Sequence, residues 1–188
     1  MSRAEIMKRI AEASPCLKAR IAGALFLLLL LTAACTEFFF HGRLSFAADL
    51  TAGIIEVSCM IAVTLLFYDI FKPVNRGLSL LAASINFVGL AFEVLQFLPK
   101  GVNIGLAFHG FYWILIGYLI FRSTFLPRIL GVLMAFAGLG WLIFLTPLAN
   151  HLSTYLKVLG FLAELSLMLW LIVKGVNVQQ WKEQAGAT

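Results

Sequence analysis

The chain has 188 residues, of which 62% are hydrophobic and only 12% charged, and its mean hydropathy is +0.98. A soluble domain runs nearer half apolar and about a quarter charged, so this composition excludes an ordinary soluble globular protein and points to a polytopic membrane protein. The formal net charge of +5 is not gathered on a polar face as nucleic-acid binding requires, and Cys16, Cys35 and Cys59 share no close spacing that would suggest a disulfide framework or a zinc motif.

Residues 1–20 carry Arg3, Lys8, Arg9, Lys18 and Arg20, with Ile6, Met7, Ile10 and Ala11 at helical intervals. This predicts a basic amphipathic segment lying on the membrane surface, held by anionic phospholipid headgroups. Residues 21–40 hold one ionisable side chain, Glu37, and are long enough to cross a hydrocarbon core about 30 Å thick. Leu31-Thr-Ala-Ala-Cys35 resembles a lipoprotein cleavage site, but the apolar run continues through Phe38, Phe39 and Phe40 and is read as a retained first span.

Further spans are expected at 52–71, 78–98, 104–121, 129–145 and 155–173. The second and third are joined by Lys72-Pro-Val-Asn-Arg-Gly77, whose proline and glycine mark a tight turn. Thr146-Pro147 stops the fifth and Lys174-Gly175 closes the sixth. The fold class is therefore all-α, a six-transmembrane-helix bundle with short loops occupying residues 21–175, followed by a polar tail over 176–188.

Eleven of the 14 Lys and Arg residues fall on one side of this arrangement, leaving Arg43, Lys100 and Lys157 on the other. Short loops rich in Lys and Arg stay in the cytoplasm, so both termini are expected there. Lys72, Arg76, Arg122 and Arg128 then sit at the inner corners, contacting lipid headgroups or capping helix ends. Tyr68-Asp-Ile-Phe-Lys72 and Tyr118-Leu-Ile-Phe-Arg122 share a pattern, which either records a duplication of spans two and three as four and five or reflects a common need for an interfacial aromatic followed by a cation. In span five, Gly131, Ala135, Gly138 and Gly140 offer a surface for close helix approach, and Gly110 and Gly117 on span four suit the same contact, so these two spans are expected to pair tightly.

Ionisable groups at membrane depth are costly unless paired or wetted, so each is a functional candidate. Counting a rise of about 1.5 Å per residue from the cytoplasmic cations puts Glu37, Glu56, Glu93 and Lys157 about 25 Å up, His109 about 20 Å and Glu164 about 15 Å. Asp49 and Glu56, Asn86 and Glu93, and Lys157 and Glu164 are seven apart and so share stripes of their helices. The expected site is a polar pocket of Glu56, Glu93, His109, Trp113, Lys157 and Glu164, open to the outside with Glu164 at its bottom and Tyr112 and Gln96 nearby. Each member also has a plainer role: Glu37 and Glu93 can reach interfacial water, Lys157 can snorkel to headgroups, and His109 can tie two helices together. No Glu-x-x-His pair of the kind that holds metals in bundles is present, and His41, His109 and His151 are dispersed with no Gly-x-Ser-x-Gly turn, so neither a metal, a cofactor nor a catalytic residue is assigned.

Arg20-Ile-Ala-Gly23, Lys72-Pro-Val-Asn-Arg-Gly77, Gly117-Tyr-Leu with Arg122-Ser, Leu126-Pro-Arg-Ile-Leu-Gly131, and Trp170-Leu-Ile-Val-Lys-Gly175 resemble a family of small bacterial membrane proteins known as a domain of unknown function. The resemblance runs over most of the chain and implies a multi-span helical protein of the bacterial inner membrane, with no activity attached. The outer segment near residues 41–50 is shorter than that family suggests, which leaves a ligand role for this loop unsupported. Three functions are carried forward: a non-enzymatic protein binding a small ligand, cation or lipid headgroup, as a transporter-like or sensor component; a membrane-embedded enzyme using Glu164 and His109 as acid and base; and an accessory subunit whose small-residue helix docks a membrane-protein partner or a second copy.

Overall fold

The computed structural model describes residues 15–39, 46–95, 104–143, 145–146 and 149–186. The helices among them are α1 (Pro15–Phe39), α2 (Phe46–Phe71), α3 (Arg76–Leu95), α4 (Ile104–Arg122), α5 (Arg128–Ile143), α6 (Ala149–Val173) and α7 (Val178–Gly186). Each of the first six packs on its neighbours in sequence, and α1 closes the circuit against α6. Connections this short force neighbouring helices to run antiparallel. The end that bears the 72–75 and 123–127 turns and α7 is called the basic face below.

Five of these helices, α1 to α4 and α6, are long and apolar enough to cross a membrane. The sixth expected span, α5, is apolar but has only 16 residues, about 24 Å of helix at 1.5 Å per residue. The surface agrees with a lipid surround. Phe136, Ile129, Tyr155 and Leu159 face outward, whereas Thr64, Ser79, Asn86 and Glu164 are buried inside.

The ends of the helices follow from local chemistry. Asn75 caps α3, its Oδ1 accepting the Leu78 N–H at 2.9 Å, with Pro73 in the preceding turn ruling out a continuous helix. Asn177 caps α7 in the same way through the N–H groups of Gln179 and Gln180. Between them α6 ends on Gly175, whose φ of 67° suits glycine at a helix C-terminus. A Cβ there would also lie 2.7 Å from Cys16 Sγ of α1, so the position is restricted twice over. The segment expected to be a polar tail is thus a helix laid across the basic face: Trp181 Nε1 donates to the Ile70 carbonyl at 2.8 Å, and Gln184 Oε1 accepts from the Thr124 N–H at 3.1 Å.

The amphipathic segment expected over residues 1–20 lies largely outside the described residues, which begin at Pro15. Pro15 to Arg20 are continuous with α1. Lys18 is fixed there by an ion pair to Asp69 of α2, a carboxylate that Lys72 also binds.

The interior is an aromatic column. Trp113 of α4 is fully buried and stacks on Phe26 of α1, centroids 5.1 Å apart, while Phe67 of α2 meets it edge-on at 6.4 Å. Phe71 continues the column to Phe125 in the 123–127 turn, stacked at 6.1 Å. Rings locked in offset and edge-to-face contacts exclude water and give the axis a unique packing.

The expected tight pairing of α4 and α5 is present, and its mechanism is glycine against backbone. A Cβ on Gly117 would stand 2.6 Å from the Gly131 carbonyl oxygen, and one on Gly131 would stand 2.6 Å from that of Gly117. One heptad further, a Cβ on Gly138 would meet the Gly110 carbonyl oxygen at the same 2.6 Å. The α2–α3 corner has no such contact and joins instead through polar groups, Ser79 Oγ donating to the Tyr68 carbonyl at 3.2 Å. The two corners that share a sequence pattern therefore pack by different means, which favours a common interfacial requirement over duplication.

Gly117→Ala and Gly131→Ala should each lower stability by about 1–3 kcal/mol, the usual cost of forced overpacking. Gly160→Ala, where nothing lies within 4 Å of an added Cβ, should be neutral or stabilising. Thermal unfolding of the three variants in one detergent checks the contrast, and equal behaviour would refute the close contact.

Candidate functional site

Among the described residues two polar clusters lie inside the bundle. The first joins α4, α5 and α6. His109 and Trp113 are one turn apart on α4, and Trp113 Nε1 donates to His109 Nε2 at 2.8 Å. An indole N–H can only donate, so Nε2 is the unprotonated nitrogen and a neutral imidazole carries its hydrogen on Nδ1. The His109 ring also stands perpendicular to Trp141 of α5, centroids 5.4 Å apart. Trp141 Nε1 in turn donates to Glu164 Oε1 of α6 at 3.3 Å.

Glu164 is 5% exposed, so it faces the bundle and not lipid. Among the described residues a single long donor reaches it, which leaves most of the acceptor capacity of a carboxylate unused. Inside a membrane span such a group needs a proton or a cation to complete its environment.

The second cluster joins α2, α3 and α4. Asn86 Nδ2 donates to Thr64 Oγ1 at 2.6 Å, and Thr64 Oγ1 donates to the Met60 carbonyl at 2.7 Å. The Tyr112 hydroxyl, also buried, is directed to Thr64 but completes no hydrogen bond in this conformation. Two turns along these helices lie Glu56 of α2 and Glu93 of α3, both half-buried and within electrostatic reach of each other. Two carboxylates within reach of each other, when ionised, create a region of negative potential that a cation relieves.

The expected pocket residues thus divide. His109, Trp113 and Glu164 share one cluster, and Glu56 and Glu93 another. Lys157 is exposed on α6, and the group that reaches Glu164 is Trp141. Gln96, His41 and Lys100 lie outside the described residues, as do the side chains of Glu37 and Asp49. The corner cations are braced by aromatic rings: Arg122 lies 5.9 Å from the Tyr118 centroid and donates to its hydroxyl at 3.3 Å, and Arg128 lies 5.8 Å from that of Phe121. Sequence reasoning missed Trp141 and Thr64 as site members. The available signal for Trp141 was an indole N–H at membrane depth, which needs an acceptor.

Residues 90–175 match the model of a family described as a domain of unknown function (DUF4386). The match takes in Glu93, His109, Trp113, the Arg122–Arg128 turn, Trp141 and Glu164. The motifs at 20–23 and 72–77, and Glu56, fall outside the matched residues. No characterised protein matches the chain, and no solved structure does.

Trp141→Phe keeps an aromatic ring against His109 but removes the donor to Glu164, and should cost about 1–3 kcal/mol of stability as an unsatisfied buried acceptor. A double-mutant cycle with Glu164→Gln, followed by thermal unfolding, should show non-additive losses; strict additivity would mean that the bond is not made.

Proposed function

We propose that this protein is a six-span, non-enzymatic protein of the bacterial inner membrane, with both termini in the cytoplasm, that binds a small cation from the outer side. The observation that carries the reading is Glu164, a carboxylate buried in a membrane-spanning helix and met, among the described residues, by one long hydrogen bond from Trp141. Glu56 and Glu93 add negative potential between α2 and α3, and the indole faces of Trp113 and Trp141 can bind a cation through their quadrupoles. A transporter-like or sensor component uses such a site; the accessory-subunit role has in its favour only the close-packed α4–α5 pair, whose glycines are already occupied by each other.

Binding is favoured over acid–base catalysis by the state of His109. Its Nε2 is committed to Trp113, and the Trp141 ring stands against it on the side of Glu164. A general acid and base need direct reach to one reacting centre, and these two groups are held apart by an indole.

The excess of cations on the basic face supports a cytoplasmic position for that face, with α5 as the short sixth span beside α4. Lys72, Arg76, Arg122 and Arg128 orient and anchor the corners against anionic headgroups. Reporter fusions at Gly77, at Ser123 and after residue 186 should read cytoplasmic, and fusions near residues 43, 100 and 150 external. An external C-terminus would rule out six spans.

For the site, intrinsic tryptophan fluorescence of the purified protein is titrated with methylammonium and with sodium at constant ionic strength. One of them should give a saturable change that Glu164→Gln weakens at least tenfold while the unfolding temperature stays near that of the parent. A flat response to both, or an unchanged affinity in Glu164→Gln, would refute cation binding at this site.

A further inference from the structure

The basic face holds a cleft that neither interior cluster accounts for. Its walls are Tyr68, Lys72, Pro73 and Arg76 from the α2–α3 corner and Trp181 and Ala185 from α7, enclosing about 420 Å³. That volume lies in the range of small-molecule sites. Both walls are tied in place by hydrogen bonds. Asn75 caps the start of α3 at the corner, and α7 is pinned at Trp181 to the Ile70 carbonyl and at Gln184 to Thr124.

The charge beside this cleft is positive and incompletely balanced. Asp69 is shared by Lys18 and Lys72, so two ammonium groups answer one carboxylate. Among the described residues no carboxylate pairs with Arg76. The acid of α7, Glu183, accepts a hydrogen bond from Gln179 Nε2 at 3.2 Å. A guanidinium and an ammonium beside a phenol, with an indole and a proline as the apolar walls, suit a phosphate group attached to a small polar or glyceryl moiety.

We propose that this cleft is a binding site for an anionic phosphate-bearing ligand, with Arg76 and Lys72 holding the phosphate and Trp181 of the C-terminal helix forming the opposite wall. The cleft lies at the end of α2, where the apolar span gives way to the Lys72 turn, so the phosphate of an anionic phospholipid and that of a soluble phosphate ester both reach it. The site is separate from the Glu164 cluster and does not depend on the function proposed there.

Full-length protein in a neutral detergent is titrated with dihexanoyl phosphatidylglycerol, dihexanoyl phosphatidylcholine and glycerol 1-phosphate, following tryptophan emission and thermal unfolding. Phosphatidylglycerol should saturate at least tenfold more tightly than phosphatidylcholine. If glycerol 1-phosphate binds at least tenfold more weakly than phosphatidylglycerol, the ligand is a lipid; if it binds as tightly or more so, the ligand is a soluble phosphate ester at the same site. Arg76→Gln, which breaks no ion pair among the described residues, should weaken binding at least fivefold. Ala185→Phe should do the same by filling the cleft from the other wall, whereas Lys182→Gln, which removes a charge from α7 but not from the lining, should change it less than twofold. The proposal is overturned if no phosphate ligand saturates, if phosphatidylcholine equals phosphatidylglycerol, or if Arg76→Gln and Ala185→Phe both bind as the parent does.

Discussion

The contact on which the rest of this structure depends is the approach of α4 to α5 through glycine. In lipid, helices gain nothing by burying apolar side chains that hydrocarbon would solvate equally well, so association rests on close backbone packing and on interhelical hydrogen bonds. Gly110 and Gly138 bring the two backbones together near the far end of the pair. His109 adjoins the first of these glycines and Trp141 lies almost one turn beyond the second. The 5.4 Å separation of their rings is a consequence of that approach. A larger residue at either glycine would separate His109 from Trp141, and with them the route from α4 to Glu164.

Around this pair the bundle divides its polar and apolar content by depth. Toward the basic face the axis is filled by the rings of Phe67, Phe71 and Phe125. Farther from it, buried polar side chains join one helix to another: Asn86 to Thr64 between α3 and α2, Trp141 to Glu164 between α5 and α6. Without water in the hydrocarbon, such groups must find partners in the protein. Glu164 and the Tyr112 hydroxyl are where that requirement is met least fully. The basic face shows the opposite arrangement, with Asp69 held by Lys18 and Lys72, Arg122 and Arg128 braced on rings, and the short helix α7 laid across it.

Much of the architecture was legible in the sequence because membrane spans are written in long apolar runs. Among the described residues the helices end within three residues of the expected spans, although α1, α2 and α6 each start six residues earlier, and Gly175 ends α6 as its neighbour Lys174 suggested. The glycines on the fourth and fifth spans announced their contact for the same physical reason, since only small residues permit it. The site was harder to read. Spacing of seven residues places Lys157 and Glu164 on one stripe, but a stripe on a helix at the edge of a ring can turn toward lipid within two turns, and Lys157 is exposed while Glu164 is buried. The role of Trp141 depends on α5 meeting α6, a pairing that periodicity within either helix does not encode. The ion cluster of Lys18, Asp69 and Lys72 was invisible for the same reason, because Lys18 and Asp69 are 51 residues apart.

The central claim is that Glu164 is the group that responds to a cation entering the bundle. Infrared difference spectroscopy on the protein in lipid nanodiscs, comparing spectra with and without methylammonium or sodium, reads carboxyl groups directly. The account predicts a change in a carboxyl or carboxylate stretching band on addition of the cation that disappears in Glu164→Gln. A spectrum with no carboxyl change, or one whose carboxyl bands persist undiminished in Glu164→Gln, would contradict it.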